Sequence, residues 1–342
     1  LHHVRRFLLG EDKPRMQGEI PSMKISQIGG EFALIDRLMS KEVNDPAIVK
    51  GVGDDCAVLE YTADKYLVVT TDMMVENSHF TSGWFSPFQV GRKLMEVNVS
   101  DVVAMGGVPR FAFISVALTR ETEVEYMDEL YRGIFASGRK HGVHLVGGDT
   151  THGREIVLNL TVTGEVEKEL LRLRSGAKEG DLICVTGTLG GNQAGLELLL
   201  AGKAGHTAEF LEPECRSASE GIVIARHANA MIDVSDGLAS EVGHICKASG
   251  VGARIDCEKI PLSPDVIKAA SELGKDPYNY ALYGGEDFEL VFTIGPDMLS
   301  GLREKFDDFS VVGEILPKEA GIFLARDNTR IDMGKGYDHF AE

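Results

Sequence analysis

The chain has 342 residues, enough for two ordinary domains with substantial cores, and is 43% hydrophobic and 26% charged. No run of roughly 18 apolar residues occurs, which excludes a membrane-spanning helix by hydropathy. Its 53 acidic residues outnumber 35 basic ones, giving a net charge of −18 with no offsetting Lys/Arg block, so nucleic acid is excluded as a natural partner.

Residues 1–22 read poorly as structure. Phe7-Leu8-Leu9 is too short for a signal-peptide core, so an extension ahead of a functional start at Met23 is expected. The five cysteines, Cys56, Cys184, Cys215, Cys246 and Cys257, are widely spaced and form no C-x-x-C. That pattern indicates neither a disulfide framework nor a thiolate metal site, and suits a reducing cytoplasm.

The run after Lys65 is short and β-branched, predicting a strand that ends at Asp72. Ser86-Pro87 opens a predicted helix over 87–105, since Ser caps well and Pro fits the first helical position. A strand over 111–118, an amphipathic helix over 123–140 and a short strand over 143–146 follow, the last running into Gly147-Gly148-Asp149. Residues 156–166 alternate as a strand should. The pattern resets near Ser175–Gly180. Strands are then expected over 182–186, 230–234, 253–256 and 288–294. Helices are expected over 192–200, from Gly237 through Ala248, and over 264–273 and 296–305. Mixed elements in both halves predict two α/β or α+β domains joined near 170–180.

Carboxylates recur at predicted element ends: Asp54-Asp55, Asp72, Asp149, Asp233, Asp236 and Glu286-Asp287. Singly, each reads as a cap or turn residue. Together they resemble the ligand contacts that open α/β folds gather at strand ends. Asp101 differs, because its helix is apolar almost all the way round and should be largely buried. A buried carboxylate is costly unless a cation or strong donors meet it, and no nearby Lys or Arg in the sequence offers itself. Oxygen ligands without Cys/His spacing select a hard cation, with Mg²⁺ and phosphoryl transfer from a nucleotide as the leading chemistry. No Walker-type or G-x-G-x-x-G signature is present. The loop Gly187–Gly191 before a helix reads equally as a phosphate cradle or a tight turn.

These segments taken in order resemble the thiamine-monophosphate kinase family, within the aminoimidazole-ribonucleotide-synthetase-like ATP-binding superfamily. The matching stretches include Gly30–Ile35, Gly53-Asp-Asp-Cys-Ala57, Thr70-Thr-Asp-Met73, His79-Phe80 and Asn98–Gly106. They continue through Gly147–Thr151, Arg174–Ala177, Val185–Gly187, Ile232–Leu238, Gly284–Glu289 and Gly336–Phe340. The resemblance implies an α+β, two-domain aminoimidazole-ribonucleotide-synthetase-like fold. Residues 23–170 would form an ATP/Mg-binding and dimerisation domain, building a β-barrel across a homodimer, and residues 171–342 a C-terminal α/β domain. The active site would lie at the domain and subunit junction.

The implied activity is ATP-dependent, direct in-line phosphorylation of thiamine monophosphate to thiamine diphosphate, the final step in making that cofactor. Several Mg²⁺ ions would be held by Asp55, Thr70, Thr71, Asp72, Asp101, Asp149, Asp233 and Asp236, with Asp72, Asp101, Asp149 and Asp236 central to catalysis. Gly148, Asp149, Arg174 and Ser235 would meet the nucleotide, and His79, Glu286 and Tyr337 the thiamine moiety. Asn77 stands where the family commonly has glycine, and Asn tolerates the left-handed conformation. The alternatives are another ATP-using synthetase of the superfamily, or a non-catalytic metal- or nucleotide-binding module.

Overall fold

The computed structural model describes residues 31–39, 45–203, 205–327 and 329–333. The expected extension, Gly30 and the 336–340 segment with Tyr337 lie outside the described residues. Helix α1 (Glu31–Leu38) is not part of the compact unit of residues 43–337, which carries both sheets.

The first sheet has strands β1 (Ile48–Lys50), β2 (Ala57–Glu60), β3 (Lys65–Val75), β4 (Val108–Leu118), β5 (His144–His152) and β6 (Val157–Glu167). Their order is β1-β2-β3-β6-β4-β5, antiparallel except for β4–β5. Helices α2 (Pro87–Ala104) and α3 (Val124–His141) pack against it. A capping box between Ser86 and Gln89, with Pro87 in the first turn, starts α2 where the sequence predicts. The two helices approach at paired glycines: a Cβ on Gly91 would meet Leu130 O at 2.0 Å, and one on Gly133 would meet Phe88 O at 2.0 Å. Each therefore has no room for a side chain.

Strand alternation sorts the sheet's faces. Val68, Thr70 and Asp72 pair with Gly164, Val162 and Leu160 on the helix-covered face. Thr71 and Met73 point the other way, as do Phe111 and Phe113 of β4. Met73, Phe111, Phe113 and Val146 are 43–54% exposed. The sheet is open, and no closed barrel occurs among the described residues.

The second sheet joins β7 (Leu182–Thr186), β8 (Ala228–Asp233), β9 (Gly252–Asp256), β10 (Leu290–Ile294), β11 (Phe309–Leu316), β12 (Ile322–Arg326) and β13 (Thr329–Asp332). Its order is β13-β12-β9-β11-β7-β10-β8, with β9–β12 the parallel pair. The helices of this half are α4 (Gly191–Leu200), α5 (Ala208–Leu211), α6 (Ala218–Ala225), α7 (Leu238–Ser249), α8 (Pro264–Leu273), α9 (Pro277–Tyr283) and α10 (Leu299–Arg303). Strand β7 is buried on both faces, which explains its unbroken apolar run. Cys184 joins a core shared with Val99, Val103 and Met105, while Ile183 and Val185 pack into a second core with Val242 and Ile255. Helix α2 also contacts β8 and α6, so Asp101 rides on the element that links the halves.

Two strands run well past their expected ends. β3 runs on to Val75, and β5 passes through Gly147-Gly148-Asp149 to His152, so Asp72 and Asp149 sit within strands and not at their ends. In β5, glycine is what lets pairing continue: a Cβ at Gly148 would stand 2.0 Å from Ile114 O. The helix expected over 296–305 shortens to Leu299–Arg303.

Candidate active site

Four carboxylates converge from both sheets. Asp55 precedes β2, Asp72 lies on β3, Asp101 on α2, and Asp233 ends β8. Carboxylate oxygens of Asp55, Asp101 and Asp233 all lie within 4.8 Å of one another. Thr70 Oγ1 donates to Asp101 Oδ2, and Ser100 Oγ donates to Asp233 Oδ2 at 2.6 Å. Arg174 forks onto Asp55 Oδ1, with Nη2 at 2.6 Å and Nε at 3.1 Å. Its main-chain N–H donates to Asp54 Oδ1 at 2.9 Å, and Lys50 lies 3.4 Å from Asp54 Oδ2. Asn98 Oδ1 accepts the Asp72 N–H at 3.2 Å.

The electrostatics are those of a site short of positive charge. Burial, and then the neighbouring charges of Asp72, Asp233 and Asp55, hold the Asp101 carboxyl far above the usual range. Burial pushes Asp55 up to about 7 against the opposing pull of Arg174, and Asp233 up to about 6 against the Ser100 hydrogen bond. Burial likewise raises Asp72 to about 6. Asp55 Oδ2 and Asp72 Oδ2 are buried without a hydrogen-bond partner. Orphaned acceptors of this kind demand a cation or a proton. An all-oxygen donor set of this density fits a hard divalent ion.

Asp236 follows in the loop between β8 and α7, close enough that its charge raises Asp233. Glu241 of α7 anchors this loop, accepting the Asp236 N–H at 2.8 Å and the Ser235 hydroxyl at 3.4 Å. The Glu286 N–H donates to Ser235 O at 2.9 Å, which brings the Gly284–Phe288 segment alongside. Glu286 holds φ +65°, uncommon for a residue with a side chain, and its carboxylate pairs with the buried Lys93 ammonium at 2.7 Å. His79 Nδ1 accepts the Val75 N–H at 3.0 Å, and Asn77 beside it takes φ +64°, as its substitution for glycine predicts.

Other expected residues fall elsewhere. Thr71 turns to the outer face of the first sheet, where the Thr161 hydroxyl donates to its Oγ1 at 3.1 Å. Asp149 and Gly148 lie on edge strand β5, three strands from β3, and Asp149 pairs with exposed Ser115 on the outer face. The loop Gly187–Gly191 is not an open phosphate cradle. Asp287 already occupies the start of α4, accepting the Gly190 N–H at 2.7 Å and the Asn192 N–H at 3.3 Å, so those donors are taken. Sequence reasoning missed Lys93, Ser100 and Glu241. Lys93 follows Arg92 on a helix that carries further polar residues, so nothing in the sequence singles it out as the buried cation.

The two halves match the AIR synthase related protein family, its N-terminal domain over residues 53–166 and its C-terminal domain over 178–324. The fold and the acidic site at its centre thus define an AIR synthase related, two-domain α+β protein. Curated relatives sharpen this. Thiamine-monophosphate kinase of Aquifex aeolicus is 36% identical over 325 residues, covering 93% of this chain and 100% of that protein. The Escherichia coli K12 enzyme of the same name is 35% identical, covering 91% and 98%. Among solved structures, AaThiL complexed with AMPPCP and TMP is 35% identical with a TM-score of 0.82, covering 93% of this chain and 99% of that one. The HypE–HypF complex, at 19% identity and a TM-score of 0.71, shares the fold. The chain belongs to the thiamine-monophosphate kinase family.

Proposed function

We propose that this protein phosphorylates thiamine monophosphate with ATP, giving thiamine diphosphate and ADP. An oxygen of the acceptor's phosphate attacks the γ-phosphorus of ATP. The new O–P bond forms as the bond from that phosphorus to the β–γ bridging oxygen breaks, and ADP leaves with its electron pair. The observation that carries this reading is the convergence of Asp55, Asp101 and Asp233, with buried, unpartnered oxygens on Asp55 and Asp72. Such a cluster is stable only around cations or protons, and two mutually repelling phosphates supply the reason to gather cations there.

Asp55, Asp72, Asp101 and Asp233, with Asp236 beside them, would hold Mg²⁺. Bound there, the ions supply positive charge to both phosphate groups. Thr70 and Ser100 orient two of the carboxylates. Arg174, paired with Asp55, would also offer its guanidinium donors to the nucleotide phosphates. Ser235 would lie at the nucleotide, and His79 and Glu286 at the thiamine moiety, with Tyr337 joining them.

The same reading includes a homodimer. It is supported by the exposed face carrying Met73, Phe111, Phe113 and Val146, an apolar area that a second sheet would cover. A barrel formed across two such sheets would leave Thr71 and Asp149, on that same side, to serve a junction between subunits. A domain boundary near residue 170 and a cytoplasmic setting belong to the proposal as well, the latter supported by five free cysteines, all buried. Purified protein given ATP, Mg²⁺ and thiamine monophosphate should release thiamine diphosphate and ADP in equal amounts. Binding of nucleotide and metal without diphosphate would overturn the assignment.

A further inference from the structure

Lys93 is a cation without water. Its side chain is fully buried on α2, and Nζ lies 5.5 Å and 5.4 Å from the ring centres of Phe85 and Phe210. Burial penalises an ammonium heavily unless an anion meets it. The anion is Glu286, whose Oε2 lies 2.7 Å away, and the same Nζ reaches His79 O at 3.5 Å. Glu286 remains about one-third exposed, at 32% of its side-chain surface, so the carboxylate faces a wall of protein on one side and open space on the other. Its backbone is held at φ +65° in a segment bonded to Ser235 O.

We propose that Lys93 is a positioning residue for the acceptor substrate. One ammonium, sealed by two aromatic rings, fixes the Glu286 carboxylate in a single geometry. That geometry presents the free side of Glu286 to a donor or cationic ring on the ligand. Charge alone would not do this, since a pairing with water-exposed lysine leaves a glutamate free to swing. The inference rests on the kinase reading and on Glu286 and His79 lying at the thiamine moiety. It adds that the specificity of that pocket is set from beneath, by a residue that touches no substrate.

The test is steady-state kinetics of wild type, K93M, E286Q and K93M/E286Q, with thiamine monophosphate and ATP varied separately and thermal melts recorded for each. K93M should raise the KM for thiamine monophosphate about tenfold or more while the KM for ATP stays within about twofold. The double variant should be no worse than E286Q, because Lys93 acts through Glu286. It also leaves neither charge behind, so it keeps the comparison open if K93M folds poorly. Unchanged KM for thiamine monophosphate in K93M would overturn the proposal. So would multiplicative losses in the double variant, or a rise in both KM values together with a fall in melting temperature. If wild type makes no diphosphate, the kinase reading fails on its own, and calorimetry with thiamine monophosphate decides the role of Lys93. Binding weakened about tenfold by K93M sustains it, and equal or absent binding ends it.

Discussion

Asp101 concentrates the residue-scale physics. It accepts from Thr70 while facing the charges of Asp72, Asp233 and Asp55, an arrangement that opposes folding when no cation is present. Asp101→Asn mimics the neutral carboxyl that burial and these neighbours favour, and keeps an acceptor for the Thr70 hydroxyl. Without divalent ions its melting temperature should equal or exceed that of wild type, while turnover falls about 100-fold or more. Loss of stability with activity retained would make Asp101 a structural residue. The sequence exposed Asp55, Asp72, Asp101 and Asp233 through their glycine and hydroxyl neighbours, and these four meet. It could not show that Thr71 and Asp149 face away, because a one-residue step along a strand reverses the side chain. Nor could it reveal that Arg174 leans on Asp55 across 119 residues of chain.

At the scale of elements, capping chemistry was legible and sheet irregularity was not. Ser86-Pro87 marks a helix start that the structure reproduces, and the helix expected over 264–273 forms as Pro264–Leu273. β11, by contrast, carries a register shift between Val311 and Gly313, and a Cβ at Gly313 would lie 2.1 Å from Arg254 O. The bulge breaks the alternation that would have announced the strand. A second cluster binds elements together: Glu96 of α2 accepts from Ser137 at 2.7 Å and the Cys215 N–H at 3.0 Å, with His141 Nε2 at 3.0 Å and Lys140 at 3.4 Å. Burial alone would raise the Glu96 carboxyl, but the His141 contact and its other partners outweigh it and hold it at about 2. A group lowered from its ordinary 4.5 stabilises the fold above that value and loses its contribution as pH falls toward 2. Glu96→Gln should therefore cost about 3 kcal/mol near neutrality, and the gap from wild type should narrow steadily below pH 4.5. A gap independent of pH would mean that the carboxylate charge is not what ties α2 to α3.

For the whole molecule, the two-domain architecture was readable from mixed elements in each half, whereas the continuous core through α2 and the uncovered outer face were not. Those depend on long-range pairing, and no periodicity within one segment reports what covers a sheet. If a second copy covers the outer face, Phe113→Asp should convert a dimer to a monomer in light scattering, because a charge buried in an apolar contact is expensive. An unchanged mass, or a monomeric wild type, would contradict the shared-barrel reading.

The central claim is that converging carboxylates act only with divalent cations set among them. The direct test is the rate of thiamine diphosphate formation as free Mg²⁺ is raised at constant Mg-bound ATP. Activity should keep climbing well after the nucleotide is fully complexed, as the carboxylate sites fill, and chelation should abolish it. A rate that saturates once ATP is complexed, or one that survives chelation, would contradict the account.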